Sequence, residues 1–287
     1  MGRTQEEEER LIQQSQLYDA VTRRFFREAG ISSGMKVLDI GSGAGDVAMT
    51  AAELVGPEGA VVGVDVNPAI LETAQARAQA AGFTNVEFVA GDARTLDIGN
   101  DFDAVTGRLV LMYMADPADA LKQLATRLGP GGIVAFQEAD FTPYQQMPHS
   151  PDTPIANELI GWILEVFERS GAHIDMGFGL YRAFVEAGLP EPYMHCEYPV
   201  GGPENWAGYS YAANSLRSVL PLLEQYGITT AEELDVDTLA ERVRQEVATS
   251  KRPIRLAPHV TAWAQLAENR RDQLRPSAHG RQFAHGL

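Results

Sequence analysis

The sequence predicts an α/β fold with a doubly wound parallel sheet, and three observations support this prediction. Five short apolar runs alternate with helical segments between residues 36 and 137. The first run ends in a turn with three glycines, and a helical segment follows at once. Acidic residues stand where three of the runs end. Strands and helices that alternate in this way form parallel sheets with helices on both faces, because the crossovers are right-handed.

The individual elements follow from apolar periodicity and from capping residues. A helix over residues 5–29 precedes the first strand, because apolar side chains recur there at helical spacing. Asn67-Pro68 and Asp116-Pro117 each pair a favourable N-cap with proline at the first helical position. The predicted strands of the alternating region are 36–40, 60–64, 86–90, 102–106 and 133–137. Beyond them we predict helices over 154–170, 180–187, 206–226 and 236–249, and strands over 193–198 and 254–264.

Composition limits the partners and the compartment. The chain of 287 residues carries a formal net charge of −16, and a field of that sign repels the phosphate backbone of nucleic acids. No run of about eighteen apolar residues is present, so we predict no membrane span. The single cysteine, Cys196, excludes a disulfide within the chain, and we expect its thiol to be buried. We expect a cytoplasmic protein, because the acidic N-terminus also lacks a signal-peptide pattern.

The turn after the first strand is the first chemical signal. Gly41, Gly43 and Gly45 allow positive φ and let a ligand lie against bare backbone, and the following helix offers free N–H groups. We therefore expect a polar or anionic ligand here. The dinucleotide pattern has its third glycine one residue later, where Asp46 stands. The observed spacing resembles the first motif of class I S-adenosylmethionine (SAM) methyltransferases, with a nicotinamide or flavin cofactor as the alternative.

Acids after the second and third strands are further signals. Asp65 comes 22 residues after Gly43, at the end of the neighbouring strand, where it can accept both hydroxyls of an adenosine ribose. SAM and NAD share that ribose, so this acid does not separate them. The alternative role for Asp65 is to cap the next helix, but Asn67 already fills that role. Asp92 follows the third strand, and segment 86–93 resembles the methyltransferase pattern. Dinucleotide-binding folds do not require this pattern after their third strand.

Five segments in order, within residues 35–140, resemble class I SAM-dependent methyltransferases, nearest to the small-molecule group of quinone-biosynthesis C-methyltransferases and their antibiotic-pathway relatives. The resemblance implies a Rossmann-like sheet of seven strands, mostly parallel with the last strand antiparallel, and SAM as cofactor. That family joins its sixth and seventh strands by a short hairpin, but about fifty residues intervene here. We expect this helical insertion to cap the acceptor pocket or to form a homodimer surface.

The predicted organisation has five parts. A helix ahead of the first strand has no place within the sheet, so it packs on an edge or lies over the cofactor cleft. The parts are an N-terminal helical lid (1–30), a SAM-binding domain (31–200), a helical cap (201–252), the last strand (253–268) and a disordered tail (269–287).

The resemblance also implies roles for single residues at the cofactor site. The glycine turn faces the methionine and ribose of SAM, Asp65 holds the ribose, and Asp92 with Ala93 reads the adenine edge. Arg108 either pairs with the SAM carboxylate or forms an ion pair with an acid on the N-terminal helix. The predicted cofactor-binding residues are Gly41, Ser42, Gly43, Asp65, Val66, Asp92, Ala93 and Arg108.

Methyl transfer from a sulfonium is an in-line displacement, in which the protein mainly supplies position and desolvation. A base is needed only where the nucleophile must lose a proton. The catalytic candidates are His149, His173 and Tyr113, with Glu138 and Asp140 as rivals and core packing as the alternative for Tyr113. The substrate-binding candidates are Tyr18, Met112, Phe141 and Tyr144. No histidine pair shows metal-ligand spacing, so we predict no metal site.

We therefore predict methyl transfer from SAM to a small, apolar or aromatic metabolite of bacterial secondary metabolism. Two alternatives keep the same fold: methylation-coupled cyclisation, and SAM binding without turnover. NAD-dependent oxidation is a further alternative, which Asp46 disfavours. The negative charge disfavours an RNA substrate, and residues 108–111 lack the Asn/Asp-Pro-Pro-Tyr motif of nucleic-acid and amide methylating relatives.

Overall fold

The computed structural model describes residues 5–147, 151–202 and 204–268, with side chains from residue 17 onward. The strands are β1 (Lys36–Ile40), β2 (Ala60–Asp65), β3 (Val86–Ala90), β4 (Phe102–Arg108), β5 (Leu128–Ala139), β6 (Tyr193–Glu197), β7 (Val200–Gly201), β8 (Ile254–Arg255) and β9 (His259–Gln265). The helices are α1 (Gln5–Ala29), α2 (Asp46–Val55), α3 (Pro68–Ala80), α4 (Pro117–Ala125), α5 (Thr142–Gln146), α6 (Pro154–Ser170), α7 (Met176–Glu186), α8 (Gly208–Gln225), α9 (Ala231–Leu234) and α10 (Val236–Ser250), and a 3-10 turn covers Leu111–Tyr113.

A seven-stranded sheet in the order β3-β2-β1-β4-β5-β9-β6 forms the centre of the fold. Strands β1 to β5 are parallel, and β9 runs antiparallel to both β5 and β6. The predicted mixed sheet with an antiparallel last strand is thereby confirmed. The strand order reverses between β1 and β4, so a ligand crevice opens beyond the carboxyl ends of these strands.

The central strands are buried on both faces, which explains their continuous apolar sequences. Successive side chains of β1 point to opposite faces, and Val37 and Leu38 are both fully buried. Leu38 joins Phe136 in the apolar cluster of one face, and Val37 joins Ala135 in the cluster of the other. Helices must therefore cover both faces of the sheet, as the alternating sequence predicted.

Helix α1 joins the sheet to the helices near the C-terminus. Tyr18, Thr22, Phe25 and Phe26 recur at helical spacing and form its buried face. The helix packs against α2, β5, β9 and α8. Gly30, with a φ of 95°, ends the helix in the left-handed conformation that favours glycine. The role of this helix as a lid stays a prediction.

A second apolar core lies among α6, α8 and α10, to which Ile163, Leu216 and Val243 contribute. We call these three helices the helical cap. Strands β7 and β8 form a two-stranded sheet where the chain enters and leaves α8 to α10. The predicted insertion helices are present, but their core also includes α6, which the sequence interpretation grouped with the SAM-binding domain. The predicted domain boundaries themselves stay a prediction.

Two local expectations were wrong. The predicted strand 254–264 is two strands, because residues 256–258 interrupt it and Pro258 has no N–H for a ladder. Cys196 is exposed rather than buried, because β6 is the edge strand of the sheet. The predicted tail, 269–287, lies outside the described residues. None of the described helices combines the length and the apolar content needed to cross a membrane.

Candidate active site

The glycine turn after β1 has left-handed backbone at three positions. Gly41, Gly43 and Gly45 have φ values of 63°, 54° and 87°. A Cβ on Gly41 would lie 2.6 Å from Val110 Cγ2, and one on Gly45 would lie 2.9 Å from Phe88 Cζ. A Cβ on Gly43 would meet only the Gly41 carbonyl oxygen, at 3.9 Å. Packing therefore requires glycine at the two flanking positions, whereas Gly43 faces open space in which a ligand can lie.

Asp65, at the end of β2, organises the same turn. Its Oδ2 accepts a hydrogen bond from the Gly43 N–H at 3.0 Å, and its Oδ1 accepts one from the Asn67 N–H at 2.9 Å. Each carboxylate oxygen keeps a further lone pair for a ligand. The carboxylate is thus held beside the glycine turn, in a position from which it can accept hydroxyl donors.

Two buried polar groups next to the turn have no hydrogen-bond partner among the described residues. They are the carboxylate of Asp39, through both oxygens, and the hydroxyl of Ser42. Burial raises the pKa of Asp39 to about 7, against the opposing influence of the nearby Ser42 hydroxyl and of the Arg108 charge. Proteins seldom leave buried polar groups unpaired, so we expect a ligand or water with hydrogen-bonding atoms to complete this site.

Asp92 and Val66 stand at the ends of neighbouring strands, on the predicted adenine side. Arg94 Nη2 lies 2.6 Å from Asp92 Oδ2, and the Arg94 N–H donates to Asp92 Oδ1 at 2.9 Å. Both bonds lower the pKa of Asp92, and the bond from the Arg94 side chain has the larger effect. Val66 is 76% exposed, which leaves an apolar surface free for a flat ring. Ala93 is buried beside them. The adenine roles of these residues stay predictions.

Arg108 ends β4 with its side chain buried against α1. Its Nη1 donates to Thr22 Oγ1 at 3.1 Å and lies 3.7 Å from Asp19 Oδ1. Of the two predicted roles, the structure therefore contains the ion pair with the N-terminal helix. Pairing with the SAM carboxylate stays a prediction.

A cavity of about 170 Å³ lies beyond the ends of β4 and β5, between α1 and the helical cap. The structure brings five predicted residues together in its wall: Tyr18, Met112, Tyr113, Phe141 and Tyr144. Apolar side chains of the helical cap close the other side, among them Leu159, Ile163, Ala212 and Val243. We call this space the acceptor cavity, although the roles of the five residues in binding or catalysis stay predictions.

Of the other catalytic candidates, His173, Glu138 and Asp140 belong to the described residues, and none of these three lines the acceptor cavity. His173 Nε2 lies 3.0 Å from the Met114 carbonyl oxygen, to which it donates. Glu138 is fully buried and accepts hydrogen bonds from three backbone N–H groups after β4. Asp140 accepts from backbone N–H groups at the starts of α5 and α7. These carboxylates hold backbone in place around the cavity. His149 lies outside the described residues.

The lining residues that the sequence interpretation missed include Tyr211, Arg255 and His259. The His259 ring is 2% exposed and stacks on Tyr18, with ring centroids 3.6 Å apart. Burial lowers the pKa of His259 well below its usual value. The signal that would have found it is topological, because an antiparallel strand begins at the edge where its parallel neighbours end.

Known proteins provide an independent comparison. Residues 31–176 match the family model described as a methyltransferase domain. The chain belongs to this family. Aklanonic acid methyltransferase DauC from Streptomyces sp. (strain C5) is 36% identical over 138 residues, which are 45% of this methyltransferase and 63% of DauC. The ubiquinone/menaquinone biosynthesis C-methyltransferase UbiE from Pseudomonas putida (strain GB-1) is 35% identical over 147 residues, which are 48% of this chain and 57% of UbiE.

A solved structure gives the same fold over most of the chain. A putative methyltransferase from Bacillus halodurans C-125 is similar with a TM-score of 0.55 at 18% identity, over 86% of this chain and 99% of that one. The chain thus spans 63% and 57% of the length of the two curated relatives, but nearly all of the solved structure.

SAM is the cofactor of this methyltransferase, and the residues present fit it. Open space at Gly43, the unpartnered polar atoms of Ser42 and Asp39, and the oriented carboxylate of Asp65 together offer surfaces for an adenosyl ligand with a charged end. When bound, the cofactor supplies a methyl group activated by a positive sulfur. Among the described residues, no group of three or more His, Cys, Asp or Glu could hold a metal ion.

Replacing Asp65 with alanine tests the ribose role. Asp65→Ala removes a charged acceptor, so we expect SAM binding to weaken by about 1–3 kcal/mol. Calorimetric titration with SAM and S-adenosylhomocysteine measures the change. Asp97→Ala, an exposed acid after β3, is the control and should bind like the wild type. Unchanged affinity in Asp65→Ala would refute the role.

A side chain at Gly43 should block the cofactor site. Gly43→Val places a branched side chain in the open space of the turn, so we expect SAM binding to be lost. Gly34→Val is the matched control, because Gly34 also has positive φ, 85°, with no atom within 4 Å of its Cβ position. Both variants carry backbone strain, but only the first should lose SAM in a titration. A Gly43→Val protein that binds SAM normally would place the cofactor elsewhere.

The buried Glu138 should make stability depend on pH. Burial raises its pKa from 4.5 to about 7, against the opposing hydrogen bonds from the backbone of Leu111, Val110 and Met112. Between these values the folded state holds a proton that the unfolded state releases, so stability falls as the pH rises through this window. Asp39, with its raised pKa, contributes in the same direction.

Glu138→Gln removes this titration while keeping an acceptor oxygen. We expect the free energy of unfolding to fall less between pH 5 and pH 8 than in the wild type, by on the order of 1–3 kcal/mol. Urea unfolding at both pH values measures it. Glu72→Gln on the exposed side of α3 is the control. An equal fall in Glu138→Gln and wild type would contradict the prediction.

Proposed function

We propose that this methyltransferase transfers a methyl group from SAM to a small apolar or aromatic molecule held in the acceptor cavity. The composition of the cavity wall supports this proposal. The wall consists mainly of aliphatic and aromatic side chains from α1, the strand ends and the helical cap. An apolar wall with a few polar groups is the usual form of a small-molecule site. The substrates in the names of DauC and UbiE are those of the two relatives. For this chain they indicate only the class of acceptor.

Charge in the cavity favours a neutral or anionic acceptor. Arg255 is the single charged side chain among the described lining residues, and no described lining residue is acidic. A cationic amine would therefore enter without a counter-charge, which is costly in an apolar space. The guanidinium lies over the Tyr144 ring, 5.3 Å from its centroid, and its buried Nε has no hydrogen-bond partner among the described residues.

Two of the lining tyrosines, Tyr18 and Tyr144, act as neutral groups. Burial raises the pKa of Tyr18 well above its usual value, and it raises that of Tyr144 in the same direction. Their hydroxyls therefore keep their protons at neutral pH and donate hydrogen bonds rather than accept protons. The main contribution of the chain is to position the acceptor and exclude water, and positioning alone can lower a barrier by about 7–11 kcal/mol.

Filling the cavity tests this function. Ser215 lines the cavity on α8, and its hydroxyl donates to the Tyr211 carbonyl oxygen at 2.7 Å. Ser215→Phe should cut methyl transfer to a cavity-bound acceptor at least tenfold while SAM affinity stays within about twofold, because the added ring occupies acceptor space. Ser215→Ala, which removes the hydroxyl without filling the cavity, is the matched control and should remain active.

The assay measures S-adenosylhomocysteine and product mass with a panel of neutral and anionic aromatic acceptors, such as 2-naphthol and 2-naphthoic acid, against amines such as dimethylglycine. Turnover of the aromatic compounds that Ser215→Phe suppresses is the expected result. Turnover confined to the amines would refute the proposal. A product that is cyclised, or SAM binding without S-adenosylhomocysteine formation from any acceptor, would favour the two alternative chemistries instead.

A further inference from the structure

A chain of buried hydrogen bonds ends at the acceptor cavity. Thr22 Oγ1 on α1 lies 2.7 Å from Gln137 Oε1 on β5, and Gln137 Nε2 lies 2.9 Å from His259 Nδ1 on β9. Arg108 donates to the same Thr22 hydroxyl. All four side chains are buried. Only the last of them, His259, lines the cavity.

This chain of hydrogen bonds determines which ring nitrogen of His259 carries the proton. Thr22 Oγ1 lies 2.7 Å from Gln137 Oε1 and 3.1 Å from the Tyr18 carbonyl oxygen, and its single proton goes to the shorter of the two contacts. The amide oxygen of Gln137 then faces Thr22, and its NH₂ group donates to His259 Nδ1. A neutral imidazole that accepts at Nδ1 carries its proton on Nε2. Burial keeps the ring neutral, since it lowers the pKa of His259 well below the usual value.

The Nε2 edge of the His259 ring faces the acceptor cavity. Within the described part of the chain, His259 Nε2 has no hydrogen-bond partner, and Nδ1 is turned to Gln137. The ring plane is held by stacking on Tyr18, at an interplanar angle of 16°. His259 also pairs with Ala139, so it stands at the end of β5 next to the cavity floor. A donor held in this way is preorganised for a group on the bound acceptor.

We propose that His259, through its Nε2–H, is the specificity-determining residue that binds an oxygen of the acceptor, of carbonyl, enol or phenol type. This inference rests on the proposed function, because it assigns the acceptor to the same cavity. The acceptor is then an apolar or aromatic skeleton with an oxygen that has a free lone pair. Gln137 and Thr22 are positioning residues, since they act on the acceptor only through the tautomer of His259.

The binding test uses two probes of the same shape, measured with S-adenosylhomocysteine present. 2-Acetylnaphthalene carries a carbonyl oxygen, and 2-isopropenylnaphthalene carries a methylene group in its place. A neutral hydrogen bond at this site should make the wild type prefer the ketone by about 3- to 10-fold in Kd. The preference should vanish in His259→Phe, which keeps a ring for stacking, and should partly return in His259→Gln, which restores an N–H.

His195→Phe on β6 is the matched control, because this histidine is exposed and lies outside the cavity wall. It should keep the full ketone preference. Equal binding of both probes to the wild type would refute the role of His259 and leave the proposed function standing. If S-adenosylhomocysteine binds but neither probe does, the acceptor cavity itself is misassigned and both proposals fail.

A second measurement needs no acceptor. Nitrogen-15 NMR of labelled histidines distinguishes the two neutral tautomers from the charged ring, and the His259 signals are those missing from His259→Phe. We expect the Nε2–H tautomer, with no protonation as the pH falls through about 6.5, the ordinary histidine value. When its carboxyl group is ionised, Gln137→Glu offers only acceptor oxygens, so it should then reverse the tautomer and remove the ketone preference. An Nδ1–H tautomer or a charged ring in the wild type would refute the proposal.

Discussion

The antiparallel pairing of β9 with β5 is the constraint on which the site depends. The parallel strands all have their carboxyl ends at the crevice. These ends carry the glycine turn, Asp65 and Arg108. The reversed strand adds an amino-terminal end at the same edge, so His259 lies beside Ala139 rather than at the far side of the sheet. The helical cap is joined directly to the start of this strand through β8. One edge of the sheet therefore carries both the glycine turn and the floor of the acceptor cavity.

Buried polar groups connect these two halves. The Thr22 hydroxyl on α1 bonds both to Arg108 on β4 and to Gln137 on β5, and Gln137 in turn bonds to His259 on β9. A buried hydrogen-bond network of this kind is costly to break, because each group left unpaired loses its solvation without compensation. The network therefore holds α1 against the strand ends, and a shift of this helix would disturb both the Arg108 side and the His259 side.

The helical cap explains how an apolar acceptor is kept from water. Its three helices have a core of their own, so the cap is a stable body rather than a loose loop over the sheet. The cavity lies where the apolar faces of this body and of the sheet ends meet. Burial there raises the pKa of Tyr18 and lowers that of His259, which keeps both groups neutral. A neutral, apolar wall suits an acceptor that reacts by simple displacement, because it offers water few partners with which to compete for position.

The sequence by itself determined the alternating sheet, the glycine turn and the acids at the strand ends. These features depend on local signals: apolar runs, glycines at positive φ, and capping residues next to proline. It also named five of the residues that the fold gathers around the acceptor cavity. Only the tertiary structure decided that α6 belongs to the helical cap, that Arg108 pairs with α1, and that His259 lines the acceptor cavity. Each of these depends on contacts between residues far apart in the chain, for which a single sequence carries no periodicity and no motif.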